Sequence, residues 1–123
     1  MKIFEITNIP AYQKATEFSD TVWEFVSKWE NFEKKTLGSQ FTRAADSISA
    51  NIAESQGRHF KKDKINFYRY SRGSGFECID WLNKSYRRNL ISEEQYKALS
   101  LSIDDILREI NVLIRLTKEN LKY

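Results

Sequence analysis

Residues 43–58 read RAADSISANIAESQGR, and their spacing decides the fold. Taken with Phe41 just upstream, the apolar positions Ala45, Ile48 and Ile52 recur every three or four residues, lining one face of an α-helix. The spacing predicts a helix over 39–56, with Gly57 placed to end it in a left-handed conformation. Arg43, Ser47, Asn51 and Glu54 form a second, polar stripe on the same helix. Ala44, Ala45, Ser49, Ala50 and Ala53 are small enough to admit a neighbouring helix closely. A polar group buried at such a contact without a partner costs about 1–3 kcal/mol. The polar stripe is therefore expected to hydrogen-bond across a helix or subunit interface, with Arg72 and Glu77 as partners, and to fix register and assembly.

The same period runs through the rest of the chain. Ala15, Phe18, Val22, Phe25, Trp29 and Phe32 line a helix over 10–35, with Pro10 in its first turn and Gly38 marking the connection that follows. A third helix is expected over 61–88, about 40 Å long at ~1.5 Å per residue, with Asn89 as its stop. Ser92 and Gln95 form a capping box that opens a fourth over 92–121. Its face carries Tyr96, Leu99, Ile103, Ile106, Ile110 and Leu113, widened by Leu107, Ile114 and Leu121. No stretch alternates with period two long enough to compete. An all-α, antiparallel up-and-down four-helix bundle, one domain over 1–123, is the economical architecture.

The third helix carries two apolar stripes. Ile65, Tyr68, Phe76, Ile79, Leu82 and Tyr86 fall on one side, and Phe67, Ser74, Cys78, Trp81 and Ser85 fall nearly opposite. A helix at the corner of a monomeric bundle needs only one such stripe. The second is expected to meet a partner subunit through Phe67, Ser74, Cys78 and Trp81; the competing explanation is two neighbours within one bundle. Gly73 and Gly75 each cost about 1 kcal/mol against alanine in mid-helix, which points to close helix approach or a local bend.

Composition narrows the function classes. The charged fraction of 30% sits beside 41% hydrophobic residues, enough apolar material for one core and against a disordered chain. No run approaches the ~20 apolar residues needed to span a bilayer. The opening MKIFEITNIP lacks the apolar core and cleavage site of a signal peptide. Cys78, the single cysteine, cannot form an intramolecular disulfide, which fits a reducing cytoplasm.

Catalytic constellations are missing. His59 is the single histidine, and residue 56, where a di-iron Glu-x-x-His motif would need glutamate, is Gln56. Cys78 has no Cys or His at zinc-ligand spacing, and Gly73-Ser74-Gly75 has no adjacent base. No enzyme activity, metal or cofactor is expected.

Charge is the stronger signal. Residues 58–88 hold nine basic and three acidic side chains, a local +6 within a chain of net +3. Arg58, His59, Phe60, Lys61, Lys62 and Lys64 cluster at the second-to-third helix junction, with Arg69 and Arg72 following. Such cations attract phosphates and release counterions, and Phe60 can stack a base. The reading is a nucleic-acid-associated accessory protein that holds RNA or DNA by its backbone. The alternative is an oligomeric protein-interaction scaffold without nucleic-acid binding, whose basic segment meets an acidic partner.

The block from Arg43 to Glu54, followed by Gly57-Arg58, resembles the signature of a bacterial four-helix-bundle family, the 23S ribosomal RNA intervening-sequence proteins. Tyr12-Gln13-Lys14-Ala15, Leu37, Gln40, and Arg72-Gly73-Ser74 with Glu77 extend the resemblance over nearly the whole chain. Ser55 departs from the pattern, which has glycine there. The resemblance implies a bundle assembled as a ring-shaped homopentamer. It also implies a relative, the accessory protein of diversity-generating retroelements, which pairs with a reverse transcriptase and binds nucleic acid through basic surfaces. For the rRNA-linked members no biochemical function is established, so the resemblance carries fold further than activity.

Overall fold

The computed structural model describes residues 3–120. A short helix α1 (Ile3–Thr7), which the sequence pattern does not signal, precedes α2 (Pro10–Ser27). The brief α3 (Asn31–Glu33) runs into a π-helical turn (Lys34–Gly38), and three long helices follow: α4 (Ser39–Gln56), α5 (Lys61–Arg87) and α6 (Glu93–Asn120). The helix expected over 10–35 is thus broken. Lys28 caps α2, and Glu30 is extended at φ −66°, ψ 161° before α3 starts. Phe32, assigned by its spacing to the buried stripe, is 74% exposed because the break resets the helical phase. Leu121, assigned to the α6 stripe, lies outside the described residues.

The helices form a bundle in which α2 packs on α4 and α6, and α5 packs on the same two. Burial follows the three-four spacing. Ala11, Ala15, Phe18, Val22 and Val26 of α2 meet Phe41, Ala45, Ile48 and Ile52 of α4, with the Phe18 and Phe41 rings 6.3 Å apart. Leu99, Ile103, Ile106, Ile110 and Ile114 of α6 complete the core. Each such side chain contributes about 1.5–3 kcal/mol when fully buried. Lys14 ties α2 to α6 through Asp105 at 2.9 Å, and that hydrogen-bonded carboxylate raises the lysine's pKa above its ordinary value. Among the described residues no helix is long and apolar enough to cross a membrane.

Helix α5 resolves the two-stripe pattern. Its buried positions are Ile65, Tyr68, Ser71, Gly75, Cys78, Leu82 and Ser85, a single face lying between the two expected stripes. Small residues at its centre let α4 and α6 approach from either side. Ser71 Oγ donates to Ile48 O of α4 at 2.7 Å, and a Cβ on Gly75 would stand 2.9 Å from Leu107 Cδ2 of α6. Two neighbours in its own bundle therefore cover the face of α5 that lies between the two stripes. Cys78 and Ser85 are fully enclosed by their own chain, so on that side only Phe67, Ser74 and Trp81 retain accessible surface. Phe76, on the rim of the other stripe, is 58% exposed. Gly73 meets nothing within 4 Å.

The helix ends also differ from expectation. Gly57 closes α4 at φ −85°, an ordinary right-handed value. The left-handed residue is Asn89, at φ 59° just past α5, where the Leu90 N–H reaches back to Ser85 O at 2.9 Å. Asparagine tolerates that conformation, and the reach-back bond satisfies a carbonyl left free by the helix end. The capping box forms as expected: Gln95 N–H donates to Ser92 Oγ at 3.1 Å, and Ser92 N–H donates to Gln95 Oε1 at 2.8 Å.

Candidate nucleic-acid interface

The α4–α5 connection and the N-terminal turns of α5 bring together the eight residues of the basic cluster, but Arg58, Lys61, Lys64 and Arg72 each hold a partner within the chain. Arg58 donates to Glu54 Oε1 at 2.6 Å, and its guanidinium lies 4.5 Å from the centre of the Phe67 ring. Lys61 Nζ donates to Lys118 O in the last turn of α6 at 3.0 Å. Lys64 Nζ donates to Ser55 O in the last turn of α4 at 3.2 Å. These two ammonium groups occupy the negative ends of helix dipoles, where a cation stabilises the fold. Arg72 Nη1 donates to Asn111 Oδ1 of α6 at 2.9 Å.

Lys62 and Arg69 differ from those four. Both are exposed, and among the described residues neither has a partner. Two helical turns separate them, which places them on one line of α5. The exposed rings of His59 and Phe60 meet edge to face at 4.8 Å beside the start of that line. The interface the structure assembles is therefore narrower than the charge count suggests, with two open cations and an exposed aromatic pair.

The polar stripe of α4 turns back on its own helix. Ser47 Oγ donates to Arg43 O at 2.8 Å, Asn51 Nδ2 donates to Ser47 O at 2.8 Å, and Glu54 is held by Arg58. Within the chain the stripe does not reach Arg72, which is on Asn111, or Glu77, which is exposed. Serine and asparagine hydroxyl and amide groups at four-residue spacing reach the preceding turn's carbonyl before they reach a neighbour. Ser55, the departure from the family pattern, is fully buried and donates to Ile52 O.

A second arrangement escaped the sequence reading. Between α2 and α4 runs a groove of about 610 Å³ lined by Trp23, Lys34, Ser39, Thr42, Arg43 and Asp46, among others. Trp23 is 63% exposed. It follows Val22 of the core stripe, about 100° further round the helix, and a tryptophan so far off the apolar face was the available signal. Burial and the nearby Asp20 charge hold the Asp46 carboxyl above the usual carboxylate range, with the Ser19 hydroxyl acting the other way. Among the described residues no group of three or more His, Cys, Asp or Glu side chains could hold a metal ion.

The comparisons with known proteins agree with the helical fold. A crystal structure of a protein of unknown function from the S23 ribosomal protein family of Bacteroides thetaiotaomicron superposes with a TM-score of 0.79 at 24% identity, covering 85% of this chain and 95% of that one. No curated protein matches. Over residues 7–112 the sequence matches the 23S rRNA-intervening sequence proteins, and the chain belongs to that family.

Proposed function

We propose that this protein is a non-enzymatic accessory factor that holds RNA or DNA by the phosphate backbone. The observation carrying this reading is the Lys62–Arg69 line, two exposed cations without partners among the described residues, in a segment with nine basic and three acidic side chains. A backbone-directed contact needs open cations on one face and no specific base readout. Fluorescence anisotropy with labelled random RNA and DNA oligonucleotides tests it. Binding is expected at low salt, weakened at least tenfold by Lys62→Glu with Arg69→Glu. Absence of binding at low salt, or unchanged affinity in the double variant, overturns it.

The bundle itself is read as antiparallel and four-helical. Lys61 pairs with Lys118, Arg72 with Asn111 and Asn83 with Tyr96, so the start of α5 lies beside the end of α6. Gln56 and Ser71 relate α4 to α5 in the same sense. Short connections join antiparallel neighbours.

Self-association into a ring-shaped homo-oligomer, pentameric by family resemblance, is the quaternary arrangement we infer. Its support is a groove of about 690 Å³ between α5 and α6, lined by Ile79, Tyr96 and Leu107, with Leu101 71% exposed on its edge. That groove also favours the second reading, a protein-interaction scaffold, whose partner would be another protein such as a reverse transcriptase. Solution mass with and without nucleic acid separates the two. A bacterial cytoplasm is the compartment we assign, since the buried Cys78 is the single thiol.

A further inference from the structure

The groove between α2 and α4 has the parts of a nucleotide site, and none of them belongs to the basic cluster on α5. Trp23 presents most of its indole to solvent. Lys34 from the π-helical turn and Arg43 from the second turn of α4 line the same groove, and among the described residues neither charged group has a side-chain or backbone partner. Two open cations beside an exposed aromatic face match a phosphate linked to a planar base. Asp46 and the hydroxyls of Ser39 and Thr42 add hydrogen-bonding groups along the α4 wall. A carboxylate repels a bare phosphate but accepts from an exocyclic amino group. It therefore favours the amino-bearing bases cytosine, adenine and guanine over thymine or uracil.

We propose that this groove binds a nucleotide, with Trp23 stacking the base, Lys34 and Arg43 holding its phosphate, and Asp46 accepting from the base's amino group. The volume of about 610 Å³ falls within the range of small-molecule sites. The nucleotide can be free or part of a single strand, because the recognising chemistry is the same. In the strand case the inference rests on the nucleic-acid reading above and adds a base contact to its phosphate contacts.

The test titrates wild-type protein with CMP, UMP and a 12-residue oligocytidine, reading tryptophan emission and calorimetric heat. CMP is expected to quench emission and to bind more tightly than UMP. Trp23→Ala is expected to weaken CMP about tenfold or more, and Trp23→Phe to recover most of the loss. CMP binding without oligocytidine binding keeps this site and defeats the strand reading. Oligocytidine binding that ignores Trp23→Ala, with no CMP binding, defeats this site and leaves the strand reading standing. A Trp23→Ala protein whose only change is a lower solution mass makes the groove a contact between copies and overturns the proposal.

Discussion

Ser71 Oγ donates to Ile48 O at 2.7 Å between two fully buried residues, joining the centre of α5 to the centre of α4. The bond crosses the most extensive helix pair of the bundle at a position where the side chain must be small. Ser71→Ala is expected to cost about 1 kcal/mol, since Ile48 O remains in its own helix. Ser71→Leu overpacks the same contact and is expected to cost about 1–3 kcal/mol or more. Urea unfolding of the two variants measures both; equal stability of Ser71→Leu and wild type would mean that α4 and α5 do not pack this closely.

Gly38 and Gly73 are expected to respond oppositely to alanine. A Cβ at Gly38 would stand 2.7 Å from Val26 Cγ1 and 3.1 Å from Glu33 O, a stiff β-branched side chain and a backbone atom. Gly38→Ala should therefore lower the melting temperature. Gly73 is exposed in mid-helix with open space around its Cα, so Gly73→Ala should stabilise by about 1 kcal/mol. Thermal unfolding followed by circular dichroism reads both signs.

Burial pushes the Cys78 thiol up to about 12, with the Glu77 and Asp46 charges adding to it. A raised thiol pKa means less thiolate at any given pH, and thiolate is the reactive form. At pH 8 the native protein is expected to leave a disulfide reagent unconsumed for hours, while the same protein in denaturant reacts at once. Rapid labelling of native protein would place Cys78 at an accessible surface after all.

The capping box at the start of α6 is expected to contribute about 1 kcal/mol, so Ser92→Ala should lower the urea midpoint by about 0.3–1 M without changing the slope. This box was legible because its chemistry is local: both partners lie within three residues. The stripes of α4 and α6 were legible for the same reason, through spacing alone. The break at Lys28–Glu30 was not, since no proline or glycine marks it. The face of α5 was misread because Ser71 and Gly75 do not register as apolar, yet they hold its centre. Nor could spacing show that Lys61 is held at Lys118 O, a carbonyl 57 residues away. Charge counting sees a cluster; only the fold shows which cations are already engaged.

The most direct test of the nucleic-acid account is the slope of log affinity against log salt for a single-stranded oligonucleotide. Each phosphate contact contributes about 0.7 to that slope. Replacing Lys62 and Arg69 together by alanine should flatten it by about 1.4 while the far-UV spectrum stays unchanged. An identical slope in the double variant, or no measurable binding by wild type at low salt, contradicts the account.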